Sequence, residues 1–198
     1  ALFERALALD PRSRIAKTNL AWGFISAGNL EQATRHMNEA LEQYPDFPDA
    51  LSGIVVMGTV NGTCDEVGVA ARKLVRVLRK SYDRADRYVA LCEAGSGPEA
   101  EAVLQEMLDW GEFRYADSES PHLLYDIDFW ILATELGDFE AATGALRGMD
   151  ERWAPGDFGW MQNDQRPAAI RFNCTETARS LYAFKGAPPP SKPLRCPG

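Results

Sequence analysis

Residues 14–47 constrain the fold most: within 34 residues they read helix, tight turn, helix and stop. In the first half Leu20, Ala21 and Phe24 stand at the three- and four-residue intervals that put side chains on one face of an α-helix. Gly28 and Asn29 break that period, Leu30, Ala33, Met37, Ala40 and Leu41 restart it, and Pro45 closes it. Two helices joined by so short a turn lie antiparallel, side by side. Neither buries its apolar stripe alone, so the pattern calls for more helices stacked against it.

The rest of the chain carries weaker versions of the same frame. Phe3, Ala6, Leu7, Leu9, Asp10 and Pro11 read as the second helix of a preceding unit, so residues 1–13 form a half unit. The chain opens at Ala1 within a helical pattern, and the expectation is a fragment whose front end lies upstream. Residues 48–80 give a helix from Ala50 to Val60, a turn at Asn61-Gly62 and a helix from Glu66 to Lys80. Val55 and Gly58 fit the size pattern poorly there, so irregular packing is expected. Residues 82–110 give Tyr88 to Ala94, a break at Gly95-Ser96-Gly97-Pro98, and Glu99 to Trp110, with proline at a favourable helix start. After a polar connector from Gly111 to Pro121 the frame returns at 123–149, with Phe129, Trp130 and Ala133 before the turn Gly137-Asp138, and Ala142, Leu146 and Met149 after it. The segment 150–198 differs: it holds Trp153, Phe158 and Trp160, one helix expected from about Pro167 to Phe184, and an extended proline-rich end.

Small residues at Ala21, Ala33 and Ala40, large ones at Leu20, Phe24 and Met37, Gly28 at the turn and Pro45 after the second helix resemble the tetratricopeptide repeat. The match departs at Lys17, where that family usually has a large aromatic residue. The resemblance implies an all-α, right-handed α-α solenoid of antiparallel helix pairs, with 150–198 as an irregular C-terminal cap over the last apolar face. It also implies a protein- or peptide-binding module. Similar repeat regions form the C-terminal part of multidomain bacterial regulators, both CadC-like transcriptional regulators and cyclase-type ones, and an Arg to Lys ratio of 16 to 5 suits a GC-rich bacterial genome.

By the same resemblance, the first helices of successive pairs line a concave groove. Its expected lining is Ile15, Thr18, Asn19, Trp22, Ile25 and Ser26, then Asp49, Ser52, Gly53 and Val56, then Leu124, Ile127, Asp128 and Ile131. Such a surface suits a helix or extended peptide with apolar anchors. Trp22 is the natural hot spot, or else packs on a neighbouring unit or the tail. The Lys, Asn and Arg clamp by which some family members hold acidic chaperone tails is absent, since only Asn19 could serve in it.

Charge and cysteines narrow the classes further. With 29 acidic and 21 basic residues the formal charge is −8, which argues against direct nucleic-acid binding. Between Arg72 and Arg87 the balance reverses to +5, leaving −13 on the rest, so Arg72, Arg76 and Arg79 mark a candidate basic docking helix or a solvated face. A hydrophobic fraction of 45% without any long apolar run fits a globular chain and excludes a membrane span. Cys64, Cys92, Cys174 and Cys196 form no zinc-type spacing, Cys92 reads as a buried inert thiol, and a Cys174–Cys196 bridge would staple the tail in an oxidising compartment.

No catalytic motif is present. His36 reads as a surface or packing residue of the second helix and His122 stands in a helix-capping context, Asp126 and Asp128 point to different sides of a helix, and metal-binding, phosphate-loop and nucleophile-elbow motifs are absent. No cofactor or metal is expected. The leading expectation is a non-enzymatic interaction module with a protein or peptide partner. Alternatives are a small-molecule sensor with a pocket near Trp153, Phe158 and Trp160, and a self-associating unit forming a homodimer.

Overall fold

The computed structural model describes residues 2–79, 82–109, 126–148, 161, 162, 164–184, 186, 187, 190 and 196. Among them the protein is all-helical, with eleven helices and no strand. These are α1 (Leu2–Leu9), α2 (Arg14–Ser26), α3 (Leu30–Gln43), α4 (Pro48–Asn61), α5 (Cys64–Val77), α6 (Tyr82–Ala94), α7 (Pro98–Asp109), α8 (Asp126–Leu136), α9 (Phe139–Gly148), α10 (Pro167–Asn173) and α11 (Glu176–Phe184). The chain divides into two compact units, 1–93 and 94–198. No helix of the described residues is long and apolar enough to cross a membrane.

In the first unit each helix from α1 to α4 packs on the next, with α2/α3 and α4/α5 the closest pairs. Both pairs turn by the same local device. Gly28 and Gly62 adopt the left-handed backbone, with φ of 76° and 73°, where a side chain would be strained. The amides just beyond them then reach back: Asn29 N–H donates to the Phe24 carbonyl at 2.8 Å and Thr63 N–H to the Gly58 carbonyl at 2.9 Å. Asn29 also caps α3, its Oδ1 accepting from Gln32 N–H at 3.2 Å. Ala21, Ala33 and Ala40 are fully buried between the helices, as small residues must be where backbones approach. Lys17 is buried as well, its aliphatic stem filling the place of a large side chain.

Helix α4 is apolar on every side, and every residue from Ala50 to Thr59 is buried. Its glycines permit that. A Cβ on Gly53 would lie 2.5 Å from Met37 Cε, and one on Gly58 would lie 2.7 Å from Val67 Cγ2 and 3.1 Å from Thr63 Oγ1. Gly58 is thus the contact point of α4 with α5, which explains the irregular size pattern read at that position.

Two expectations for this unit need correction. Helix α5 ends at Val77 and not at Lys80, because Leu78 closes it and Arg79 turns left-handed with φ of 55°. Cys92 is not a free thiol: it is bonded to Cys64, tying the start of α5 to the last turn of α6. Spacing alone does not disclose that pairing, since it depends on how α5 and α6 pack; Val89 of α6 lies over Gly68 of α5.

The second unit is built around α8 and α9, joined by Gly137 (φ 83°) and Asp138, whose Oδ1 caps Ala141 N–H at 2.9 Å. Residues Phe129 to Thr134 of α8 are all buried, a run with no polar face like that of α4. Phe172 of α10 wedges edge-on against Trp130 of α8 and Phe139 of α9, at centroid distances of 5.9 and 5.7 Å. The single helix expected from Pro167 to Phe184 is two helices. The break has a local cause: Thr175 Oγ1 accepts from Ala178 N–H at 3.1 Å and starts a new helix. Beside the break, Cys174 is bonded to Cys196, the bridge considered from the sequence.

Candidate functional site

The structure sorts the expected groove residues of α2 into two stripes. Thr18 and Ile25 turn inward and are about 1% exposed, with the Thr18 hydroxyl donating to the carbonyls of Arg14 and Ile15. Ile15, Asn19, Trp22 and Ser26 form the other stripe, at intervals of four, three and four residues. Ile15 is 51% exposed, and Asn19, Trp22 and Ser26 are half-buried. The Ser26 hydroxyl donates to the Trp22 carbonyl at 3.1 Å. Beside Trp22 lies the exposed Gly23, where an added Cβ would meet nothing within 4 Å.

The remaining groove positions do not extend this stripe as expected. Val56, Ser52 and Gly53 are interior residues of α4, because a helix that is apolar all round has no side to present to a ligand. Asp49 is half-buried and has a partner. Ile131 is buried in α8. Leu124 lies outside the described residues, as do the side chains of Ile127 and Asp128. Trp153, Phe158 and Trp160, expected to line a sensor pocket, also lie outside them, as does His122. The candidate surface therefore narrows to one stripe of α2.

Around that stripe, aromatic and cationic contacts fix the α2/α3 pair. Phe24 stacks on His36 with centroids 5.6 Å apart and planes 5° from parallel. His36 Nδ1 stands 3.3 Å from a Glu39 carboxylate oxygen, one turn along the same helix. Arg14 lies over the rings of Tyr44 and Phe47, at 5.2 and 4.8 Å, and holds the start of α2 against the end of α3. His36 is a packing residue in this setting.

The basic run resolves into cations that have partners and cations that have none among the described residues. Lys73 is 3.5 Å from Asp46 and Arg72 is 3.8 Å from Asp86. Arg84 and Arg87 also have partners. Arg76 is exposed and lies on the same face of α5 as Arg72, and Arg79 is exposed just beyond the end of that helix.

One cluster of the second unit went unread in the sequence. Asp164 is fully buried and Arg166 is 3% exposed. The Arg166 guanidinium donates from Nε and Nη2 to Asp164, at 3.1 and 2.9 Å, and from Nη1 to Glu135 of α8 at 2.7 Å. Its carbon lies 5.6 Å from the Trp130 ring centre. Asn173 donates to the Met161 carbonyl and accepts from the Tyr182 hydroxyl, at 2.9 and 3.0 Å. Burial pushes the Asp164 carboxyl up, with Arg166 opposing the shift, and burial likewise pushes the Tyr182 hydroxyl well up. The only sequence trace of this cluster is an oppositely charged pair, Asp164 and Arg166, just before Pro167. Asn173, which matches a glycosylation acceptor pattern, is buried and committed to these bonds.

A cleft of about 340 Å³ also opens in the second unit, lined by Glu101 and Gln105 of α7 and by Gly137, Asp138, Phe139 and Glu140 at the start of α9. Among the described residues, no group of three or more histidines, cysteines and carboxylates is placed to hold a metal ion. Compared with family models, curated proteins and solved structures, the chain matches none.

Proposed function

We propose that the chain is a non-enzymatic protein- or peptide-binding module of the tetratricopeptide-repeat type, the regulatory or scaffold part of a larger bacterial protein. The observation that carries this reading is the α2 stripe of Ile15, Asn19, Trp22 and Ser26 beside the open face at Gly23. Two apolar residues two turns apart, Ile15 and Trp22, with the Asn19 amide between them and the Ser26 hydroxyl one turn beyond Trp22, suit a partner helix that inserts one or two apolar anchors. Trp22 is its central anchor: a half-buried indole is already held in place, so docking orders little further side chain. The succession of packed helix pairs in the first unit supports the repeat reading. The two disulfides support an oxidising compartment, such as a periplasm.

Selection of displayed helical peptides against the intact chain tests the reading. The expected outcome is a set of amphipathic binders whose affinity falls at least about tenfold on Trp22→Ala. Binders that ignore both Trp22→Ala and a bulky Gly23→Leu change, or a failure to select any, would defeat it. Circular dichroism of each variant separates lost binding from lost fold.

A further inference from the structure

We propose that α5 carries a basic docking stripe that takes the acidic α7/α9 cleft of a second copy of this chain, so that copies associate head to tail. This inference goes beyond the α2 surface and does not depend on it.

The stripe is read from exposure and pairing. Val69, Arg72, Arg76 and Arg79 follow one another at three- and four-residue intervals and all are exposed, Val69 at 68%. The other described cations of this run have partners, and among the described residues Arg72 has a 3.8 Å contact to the exposed Asp86. What remains is a line of guanidinium groups with an apolar side chain at one end. Arg76 alone would be expected at the end of a helix, where a cation complements the helix dipole. Arg79 is not expected: it occupies the left-handed position after the helix, with φ of 55°, where glycine is the unstrained choice. That conformation carries a third guanidinium past the end of α5.

The occupant is argued from charge complementarity within the same molecule. The cleft has carboxylates from Glu101 and Glu140, both exposed, and from Asp138, around the half-buried ring of Phe139. A carboxylate pair beside an aromatic ring accepts a guanidinium by hydrogen bonding and by cation–π attraction. Val69 supplies apolar surface beside the charges. Stripe and cleft are different surfaces, so the contact is heterologous. It adds further copies with rising concentration instead of stopping at a symmetric pair.

Sedimentation velocity of the intact chain tests this. Wild type is expected to associate with concentration at low ionic strength and to become monomeric near 1 M salt, where the screening length falls to roughly 3 Å. The Arg76→Glu/Arg79→Glu chain and the Glu101→Arg/Glu140→Arg chain are each expected to associate at least about tenfold more weakly. An equimolar mixture of the two should associate again, because each then offers the surface the other lacks. Glutamine at the same four positions gives a milder series should a reversed chain fold poorly. Wild type that stays monomeric at low salt, association that survives either reversal, or a mixture that stays apart would overturn the proposal. Binding of added polyglutamate by a strictly monomeric wild type would do so in favour of an acidic peptide.

Discussion

Helices α4 and α8 pose the same problem in different units, and the two units solve it with different chemistry. Each has a run of buried residues with no polar face, Ala50 to Thr59 in α4 and Phe129 to Thr134 in α8. In the first unit the solution is size. Gly53 and Gly58 let α3 and α5 come close to α4, alanines fill the crossings, and one disulfide ties α6 to the start of α5. In the second unit the solution is aromatic and ionic: Trp130 and Phe172 meet edge-on, and a buried arginine joins α8 to the segment before α10. A close-packed contact between small residues is sensitive to volume and indifferent to charge. A buried ion pair has the opposite sensitivities, because its members are stable in the interior only together.

Separate readout of the two units by peptide-resolved hydrogen exchange can break or sharpen this comparison. The largest effect is expected from Arg166→Met, which strands Asp164 in the interior and should cost the second unit about 3–5 kcal/mol. Removing both charges in Arg166→Met/Asp164→Leu should recover most of that loss, and a double mutant as weak as the single one would show that Arg166 acts by packing alone.

Reduction comes next. The Cys64–Cys92 bridge closes a segment of 28 residues. The chain-entropy model assigns a loop of that length about 3–4 kcal/mol. Cys64→Ser/Cys92→Ala should therefore lower the stability of the first unit by that order and leave exchange in α8 and α9 unchanged.

Gly58→Ala should cost about 1–3 kcal/mol, because the stiff Val67 side chain and Thr63 stand too close to yield easily. Gly53→Ala should cost less, since its neighbour is the flexible end of Met37. Equal costs at the two positions would argue against Gly58 as the contact point of the α4/α5 pair.

Gly23→Ala has the opposite sign. Its surroundings are open and its backbone helical, so alanine should stabilise α2 by about 0.5–1 kcal/mol in chemical denaturation.

The pH response is the finest probe. Burial raises the Asp164 carboxyl, so the folded chain binds this proton more readily than the unfolded chain. Its contribution to stability therefore increases as pH falls through the window between the ordinary value of 3.8 and the raised folded value. Comparing melting temperature against pH for wild type and Asp164→Asn should isolate that slope. A wild type that loses more stability on acidification than the variant would contradict the stated direction.

Much of the helical framework was legible in the sequence because its causes are local. A helix follows from side chains three and four residues apart, and a turn from a glycine beside a short polar residue. Gly28-Asn29, Asn61-Gly62 and Gly137-Asp138 could therefore be read as reversals before any packing was known. The Pro167–Phe184 region misled for a local reason too: Thr175 stops one helix by starting another, and its apolar spacing runs on through the break. The candidate surface on α2 was half legible. The repeat frame indicated which helix to inspect but could not separate Thr18 and Ile25 from Asn19 and Trp22, since burial depends on neighbours distant in the chain.

By itself, then, the sequence determined the all-helical class and the positions of the reversals, set by interactions within a few residues. Only the tertiary structure decided that Cys64 meets Cys92, that Arg166 is sealed in with Asp164 and Glu135, and that Arg76 and Arg79 stay exposed while neighbouring cations are paired. Those outcomes depend on which helices come together and on the exclusion of water between them, and no spacing along the chain encodes either.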